Sequence, residues 1–271
     1  MILGPIGLGY ALPGATLLQD DRGVSETFTG MIEAGSKRLH AHIKFLSTKG
    51  LINELIASVL GSATGLPMPK GFLVLAERRD FPTSQVLKAN PSDIGFAFAC
   101  ATMDHPSLRR RMKLRSEALR LEVLKLWPQW AEAIAFDDWI ANWDRHEGNL
   151  LSGGPGEVWL IDNERSFVKL DWTAADLNPA VQVLNQLCMQ MQRAALDEND
   201  RRQRLQQVYT LIAKIKKIDP MDVITAAQAD KSLSSDDVDA LRQFLTERTS
   251  TIATRISAAL GLPILALGIN P

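Results

Sequence analysis

The sequence predicts an α+β chain in two lobes, a small β-rich lobe followed by a larger, mostly helical one. Three observations carry this. Strand-like alternation and turn residues dominate residues 24–80, and helical periodicity dominates from about residue 107 onward. Between them, from Arg78 to about Pro106, lies a Pro- and polar-punctuated stretch with the character of a linker. The division expected is residues 1–85 for the first lobe and 86–271 for the second.

Met1 to Gly14 is apolar and Gly/Pro-rich, without a basic leader, and reads as an ordinary loop rather than a signal peptide. Residues 24–46 read as a hairpin in which Thr27–Glu33 and Arg38–Leu46 flank Ala34-Gly35-Ser36-Lys37. Along its second strand Leu39, Ala41, Ile43 and Phe45 alternate with Arg38, His40, His42 and Lys44, so Lys44 points away from the packed face. Leu51–Thr64 has helical spacing and a stop at Gly65. Pro67 and Pro69 then lead into a strand over Gly71–Leu75. Further on, helices are expected over Ser107–Leu126, Pro128–Asn142, Leu177–Ala195, Asp200–Lys217 and Ser235–Leu260. The tail beyond Ile256 is apolar, broken by Gly261 and Pro263, and is expected to pack back on the domain.

One β element interrupts this helical half. Asn149-Leu-Leu-Ser152 and Glu157–Ile161 flank Gly153-Gly154-Pro155-Gly156 and read as a second hairpin. Pairing Ser152 with Glu157 would set Asn149 opposite Leu160, with Asn149, Leu160 and Asp162 on one face. Asp144 stands five residues before Asn149. An Asp, an Asn and a second Asp so arranged are the minimum equipment for phosphoryl transfer. One carboxylate orients or deprotonates a hydroxyl, while an amide and the other carboxylate hold magnesium against a nucleotide. Lys44 can neutralise nucleotide phosphates, and Glu54 on the following helix is available to hold it. A β-rich lobe with such a lysine, then a helical lobe opening on Asp/Asn/Asp, is a bilobal protein-kinase-like layout.

Four stretches together resemble the HipA-like kinases, bacterial relatives of the phosphatidylinositol 3/4-kinases and of protein kinases. They are His-Ala-His-Ile-Lys44-Phe, Asn-Glu54-Leu-Ile-Ala-Ser-Val-Leu with Gly-Leu-Pro67-Met-Pro69 after it, Asp144-Arg-His-Glu-Gly-Asn149, and Leu-Ile-Asp162-Asn-Glu164. The similarity spans about residues 24–170. It implies Lys44 for nucleotide phosphates, Asp144 as catalytic base or substrate-orienting residue, and Asn149 and Asp162 as magnesium ligands. It also implies ATP as donor, a protein serine or threonine as acceptor, and an antitoxin or regulatory partner. A Gly-x-Gly-x-x-Gly loop is absent between the first two strands of the expected hairpin.

Composition narrows the alternatives. With 271 residues and 46% hydrophobic content the chain can bury a large core, and a net charge of −1 gives no global attraction to nucleic acid. No apolar run reaches the length of a membrane helix. Cys100 and Cys188 match no metal spacing and read as reduced core thiols of a cytoplasmic protein. The basic run Arg109-Arg110-Arg111, with Lys113 and Arg115, reads as a solvated helix face; His40 and His42 as surface groups; Trp130, Trp139 and Trp143 as core; His146 as structural. Glu164 either supports Asp162 or assists with metal. Two other functions fit the same residues: a lipid or small-molecule kinase, and a nucleotide-binding regulatory module without turnover.

Overall fold

The computed structural model describes residues 3–18, 25–113 and 115–262. Its first strand, β1 (Gly7–Ala11), comes from the segment expected to be a loop, and β2 (Thr16–Leu17) follows just after that segment. Two of the glycines that suggest a loop, Gly7 and Gly9, are instead packing requirements. A Cβ on Gly7 would sit 2.4 Å from the Phe72 ring, and one on Gly9 would sit 2.5 Å from the Glu33 carbonyl oxygen. Glycine here permits close approach of neighbouring strands.

The expected hairpin forms as β3 (Glu26–Ala34) and β4 (Lys37–Phe45), paired from Glu26↔Phe45 to Ala34↔Lys37 around Gly35, which has φ +60°. Helix α1 (Thr48–Thr64) follows, capped by the Ser47 hydroxyl and stopped by left-handed Gly65. Then come β5 (Gly71–Glu77), a short α2 (Gln85–Ala89) and β6 (Ile94–Ala101). The stretch read as a linker therefore contains a strand, and an interior one: the sheet order is β1-β5-β6-β4-β3-β2. In β6 the small residues Ala97 and Ala99 face inward among the packed side chains while Phe96 and Phe98 face the other way, and the flanking Pro and Ser residues hide this alternation.

β1 also pairs antiparallel with β3 at Tyr10↔Glu33 and Ala11↔Ile32, so the strip curls back on itself. Its interior holds Phe28, Ile32, Ile43, Phe72 and Val74, with Phe28, Phe45 and Phe81 meeting edge-to-face at centroid separations of 5.1 to 5.6 Å. The outer face carries Lys44 and packs on α1. A second, larger core runs from Phe98 and the Ile52–Leu60 stretch of α1 into the helical part.

Several helices are shorter than periodicity predicts. Ser107–Leu126 splits into α3 (Leu108–Arg111) and α4 (Glu117–Lys125), each with its own serine cap, Ser107 and Ser116. α5 (Trp130–Trp139) precedes the second hairpin, β7 (Leu150–Gly154) and β8 (Glu157–Leu160). Leu177–Ala195 is helical only as α6 (Gln186–Arg193), since Asn178 precedes a proline and Asn185 caps the helix late. α7 (Glu198–Ile215) is followed by α8 (Pro220–Ala226), which the spacing did not suggest. Ser235–Leu260 breaks into α9 (Ser235–Arg248), capped by Ser234, and α10 (Ile252–Ala259). Ile256, Leu260 and Leu262 are buried, and the rest of the apolar tail lies outside the described residues.

Among the described residues no helix is long and apolar enough to cross a membrane. Both cysteines are free, and burial pushes the Cys100 thiol to about 12 and the Cys188 thiol to about 11, so neither is a ready nucleophile.

Gly9→Ala forces a methyl against the Glu33 carbonyl, and chemical denaturation should record a loss of about 1–3 kcal/mol. Gly4→Ala meets nothing within 4 Å and serves as the neutral control.

Candidate active site

The chain enters the site through Asn142, Asp144 and the 3-10 turn Glu147–Asn149. Asn142 Oδ1 accepts the Asp144 backbone N–H at 3.1 Å, and Asn149 Nδ2 donates to the Asp144 carbonyl at 2.9 Å. His146 Nδ1 accepts the Gly148 N–H at 3.0 Å, a contact so tight that a Cβ on Gly148 would lie 2.7 Å from the imidazole. His146 thus caps the 3-10 turn through its side chain.

The β7–β8 register differs from the expected one by a residue. Leu150, not Asn149, faces Leu160, because Gly153 bulges out between the Ser152↔Val158 and Gly154↔Glu157 pairs. A two-residue turn at Pro155-Gly156 closes the hairpin, with Gly156 at φ +79°. Strand geometry then ends at Leu160, and Asp162 adopts φ +64°. Alternation of faces is therefore not what brings Asn149 and Asp162 together. A backbone bond from the Ile161 N–H to the Asn149 carbonyl at 3.1 Å joins their segments, and Arg145 adds to it, one guanidinium donating to the carbonyls of Asn149 (3.3 Å), Asp162 (3.5 Å) and Ile161. The same group bonds the Asn163 amide oxygen and forms an ion pair with Asp137 at 3.1 Å, both partners fully buried. Burial raises the Asp137 carboxyl, and the Arg145 charge opposes that.

From the sheet side, Lys44 Nζ lies 2.8 Å from Glu54 Oε1 and 2.9 Å from Asp162 Oδ1. Three sequence-predicted residues from three elements therefore meet. Glu54 sits on the second turn of α1, buried, and its other oxygen accepts from Asn163 at 3.3 Å. Burial alone would lower the Lys44 ammonium, but Asp162, Glu54 and Glu164 outweigh it and hold it well above its ordinary value. Burial would raise Asp162, yet Lys44, then Arg145 and His146, hold it below the usual carboxylate value. Glu164 completes an acidic group with Glu54 and Asp162, their oxygens within 4.8 Å of one another. It is raised by burial and by Asp162, and accepts the Ser25 hydroxyl at 2.8 Å.

Asp144 stands apart from that cluster in its contacts. Its Oδ2 faces Arg165 Nε at 3.7 Å, and the Arg165 guanidinium lies over the Trp143 ring at 5.1 Å. Trp130 and Trp139 are core, as expected; Trp143 is only partly buried and carries this arginine. Sequence reasoning missed Arg165 and the central role of Arg145, since neither pairing is local. It also undervalued His42 and Arg111 and passed over His105. His42 and His105 line a cavity of about 190 Å³ that Lys44, Glu54 and Asp162 share with Met68, Phe98, Leu151 and Leu160. In the basic run, Arg111 donates to the Ser152 and Gly153 carbonyls, and so pins α3 to the hairpin. A mostly apolar cavity with a cation and carboxylates in its lining can take a flat, anion-bearing ligand.

A family model described as HipA-like kinase matches residues 21–256. No curated protein matches the sequence. Among solved structures, the Helicobacter pylori proinflammatory kinase CtkA superposes with a TM-score of 0.58 over 94% of this chain and 98% of that one, at 14% identity. At that identity the likeness speaks to the fold, a β-rich N-terminal region followed by a helical part.

Two outcomes test the geometry. Arg145→Met strips a buried carboxylate of its partner, and urea unfolding should show a loss of about 3–5 kcal/mol, whereas Arg165→Met should change stability little. The second concerns His146, whose proton affinity is lowered from 6.5 by burial and by Arg109. The unfolded chain then takes up the proton first as pH falls, so this contribution to stability is full above 6.5 and lost below it. Melting curves between about pH 7 and pH 5 should show a shallower pH slope in His146→Gln than in the parent.

Proposed function

Since the chain belongs to the HipA-like kinase family, we propose that it transfers the γ-phosphoryl group of ATP, with magnesium, to a serine or threonine hydroxyl of a protein. The observation that carries this reading is the Lys44 ammonium held within 3 Å of both Glu54 and Asp162, in the wall of a mostly apolar cavity. A lysine so anchored is a fixed positive charge for phosphates.

The two-lobe organisation, 1–85 for nucleotide and 86–271 for catalysis, belongs to the same proposal, with β6 supplied by the second span to the first lobe's sheet. Asp162 and Asn149 offer a carboxylate and an amide oxygen, the hard donors magnesium prefers, and Asn149 Nδ2 is already committed to the Asp144 carbonyl. Bound there, the cation would supply charge neutralisation between phosphates. Lys44 leaves Asp162 for the phosphates while Glu54 keeps its grip on the ammonium. Asp144 accepts or orients the acceptor proton, and Arg165 beside it keeps a positive charge at the acceptor side. The rate comes mainly from positioning and charge. An antitoxin or regulatory protein is the proposed partner class, and the cytoplasm the proposed compartment.

Purified protein with labelled ATP and magnesium should label itself or proteins of a cell extract, and Asp144→Asn should lower the rate about 10²–10⁴-fold. Label confined to extracted lipids or metabolites would replace the protein acceptor with a small one. Nucleotide-dependent thermal stabilisation without any label transfer would instead make the chain a binding module.

A further inference from the structure

Lys44 and His42 project from the same face of β4, two residues and so about 6.8 Å apart. Lys44 marks the phosphate end of the cavity in the reading above, and this inference rests on that reading. His42 lies on the same wall, opposite Cys100 of β6, where the lining continues to Ala101 and Met103. A ligand with its phosphates at Lys44 therefore brings its base to His42, with Leu151 and Leu160 of the hairpin also in the lining.

His42 seals one of its two ring nitrogens away from the cavity. Its Nδ1 is buried and has no hydrogen-bond partner. Burial first, and the neighbouring Lys44 ammonium second, lower the affinity of the ring for a second proton, so the imidazole is neutral. A neutral ring carries one N–H. A sealed, unpaired N–H is rarer in proteins than a sealed lone pair, so the proton belongs on Nε2 and Nδ1 keeps the lone pair. The cavity wall then offers a hydrogen-bond donor in largely apolar surroundings, where such a bond discriminates most strongly between ligands with and without an acceptor.

We propose that His42 reads the nucleobase, donating from Nε2 to a ring nitrogen of a purine held in the cavity. His42 is thereby a specificity residue and takes no part in the phosphoryl step.

The test is equilibrium binding by titration calorimetry on the full chain, using ATP and its 1-deaza, 3-deaza and 7-deaza analogues. The parent protein should bind one of the three analogues about tenfold more weakly than ATP, because that analogue lacks the accepting nitrogen. His42→Phe, which keeps a ring of similar shape, should lose about tenfold for ATP and bind the penalised analogue as well as it binds ATP. His42→Gln, which restores a donor, should recover part of the loss. Equal affinity of the parent for all four ligands, or unchanged ATP affinity in His42→Phe, overturns the assignment while leaving the kinase reading intact. Absence of any ATP binding by the parent overturns both.

Discussion

Arg145 is the residue on which the rest of the site is built. It stands between Asp144 and His146 in the chain and is fully buried, while both neighbours are only partly buried. Burying a guanidinium is costly unless each face finds a partner. Here Asp137 neutralises it, and the carbonyls of Asn149, Ile161 and Asp162 with the Asn163 amide take up its N–H groups. Because the fork is planar and rigid, these partners are held at fixed angles to one another. The loop carrying Asp144 and the segment carrying Asp162 are thus one rigid unit, although 17 residues of chain separate Arg145 from Asp162. A lysine offers a point charge without the fork and could not hold both.

Helix α1 ties that unit to the sheet. Asn53 donates to the carbonyls of Glu164 (2.6 Å) and Ser166 (3.1 Å) and accepts from Trp172, and the next residue, Glu54, takes Lys44. Two adjacent helix positions hence face the strand wall and the Asp162 segment together. Lys49 adds a pair with Asp237 of α9 at 2.6 Å and lies over the Trp172 ring. The paired aspartates before the motif are spent in the same way, Asp137 on Arg145 and Asp138 on Arg248 and Arg255. They are scaffold, and this agrees with their closeness in sequence to Asp144.

What could be read from the sequence was what depends on local pattern. Alternation along residues 38–45 places Lys44 on the face away from Ile43, and helical spacing brings Glu54 to the same side as Asn53's partners, so their meeting was legible. The register of the second hairpin was not, because a Gly-Gly pair can either turn or bulge and only packing against Trp159 and Glu157 decides. Left-handed Asp162 has no signal in composition. β1 and β6 were hidden for a shared reason. Their inward residues are Gly and Ala, which periodicity counts as weak, although a curled sheet requires such small side chains where strands crowd a common interior. Arg165 and Arg145 find their partners through tertiary structure alone.

The pairing of β1 with both β5 and β3 has a bearing on where the functional unit stops. The family match begins at residue 21, downstream of β1, which closes the curled strip, and of β2, which pairs with β3 alone. A fragment trimmed to the matched span would strip β3 and β5 of a neighbour and leave rows of unpaired backbone groups beside an apolar interior, the arrangement that invites strands of other molecules to add on. Residues 7–11, unassuming as text, act as the seam of the curled strip, and the span matched by the family model is narrower than the stretch whose strands are paired.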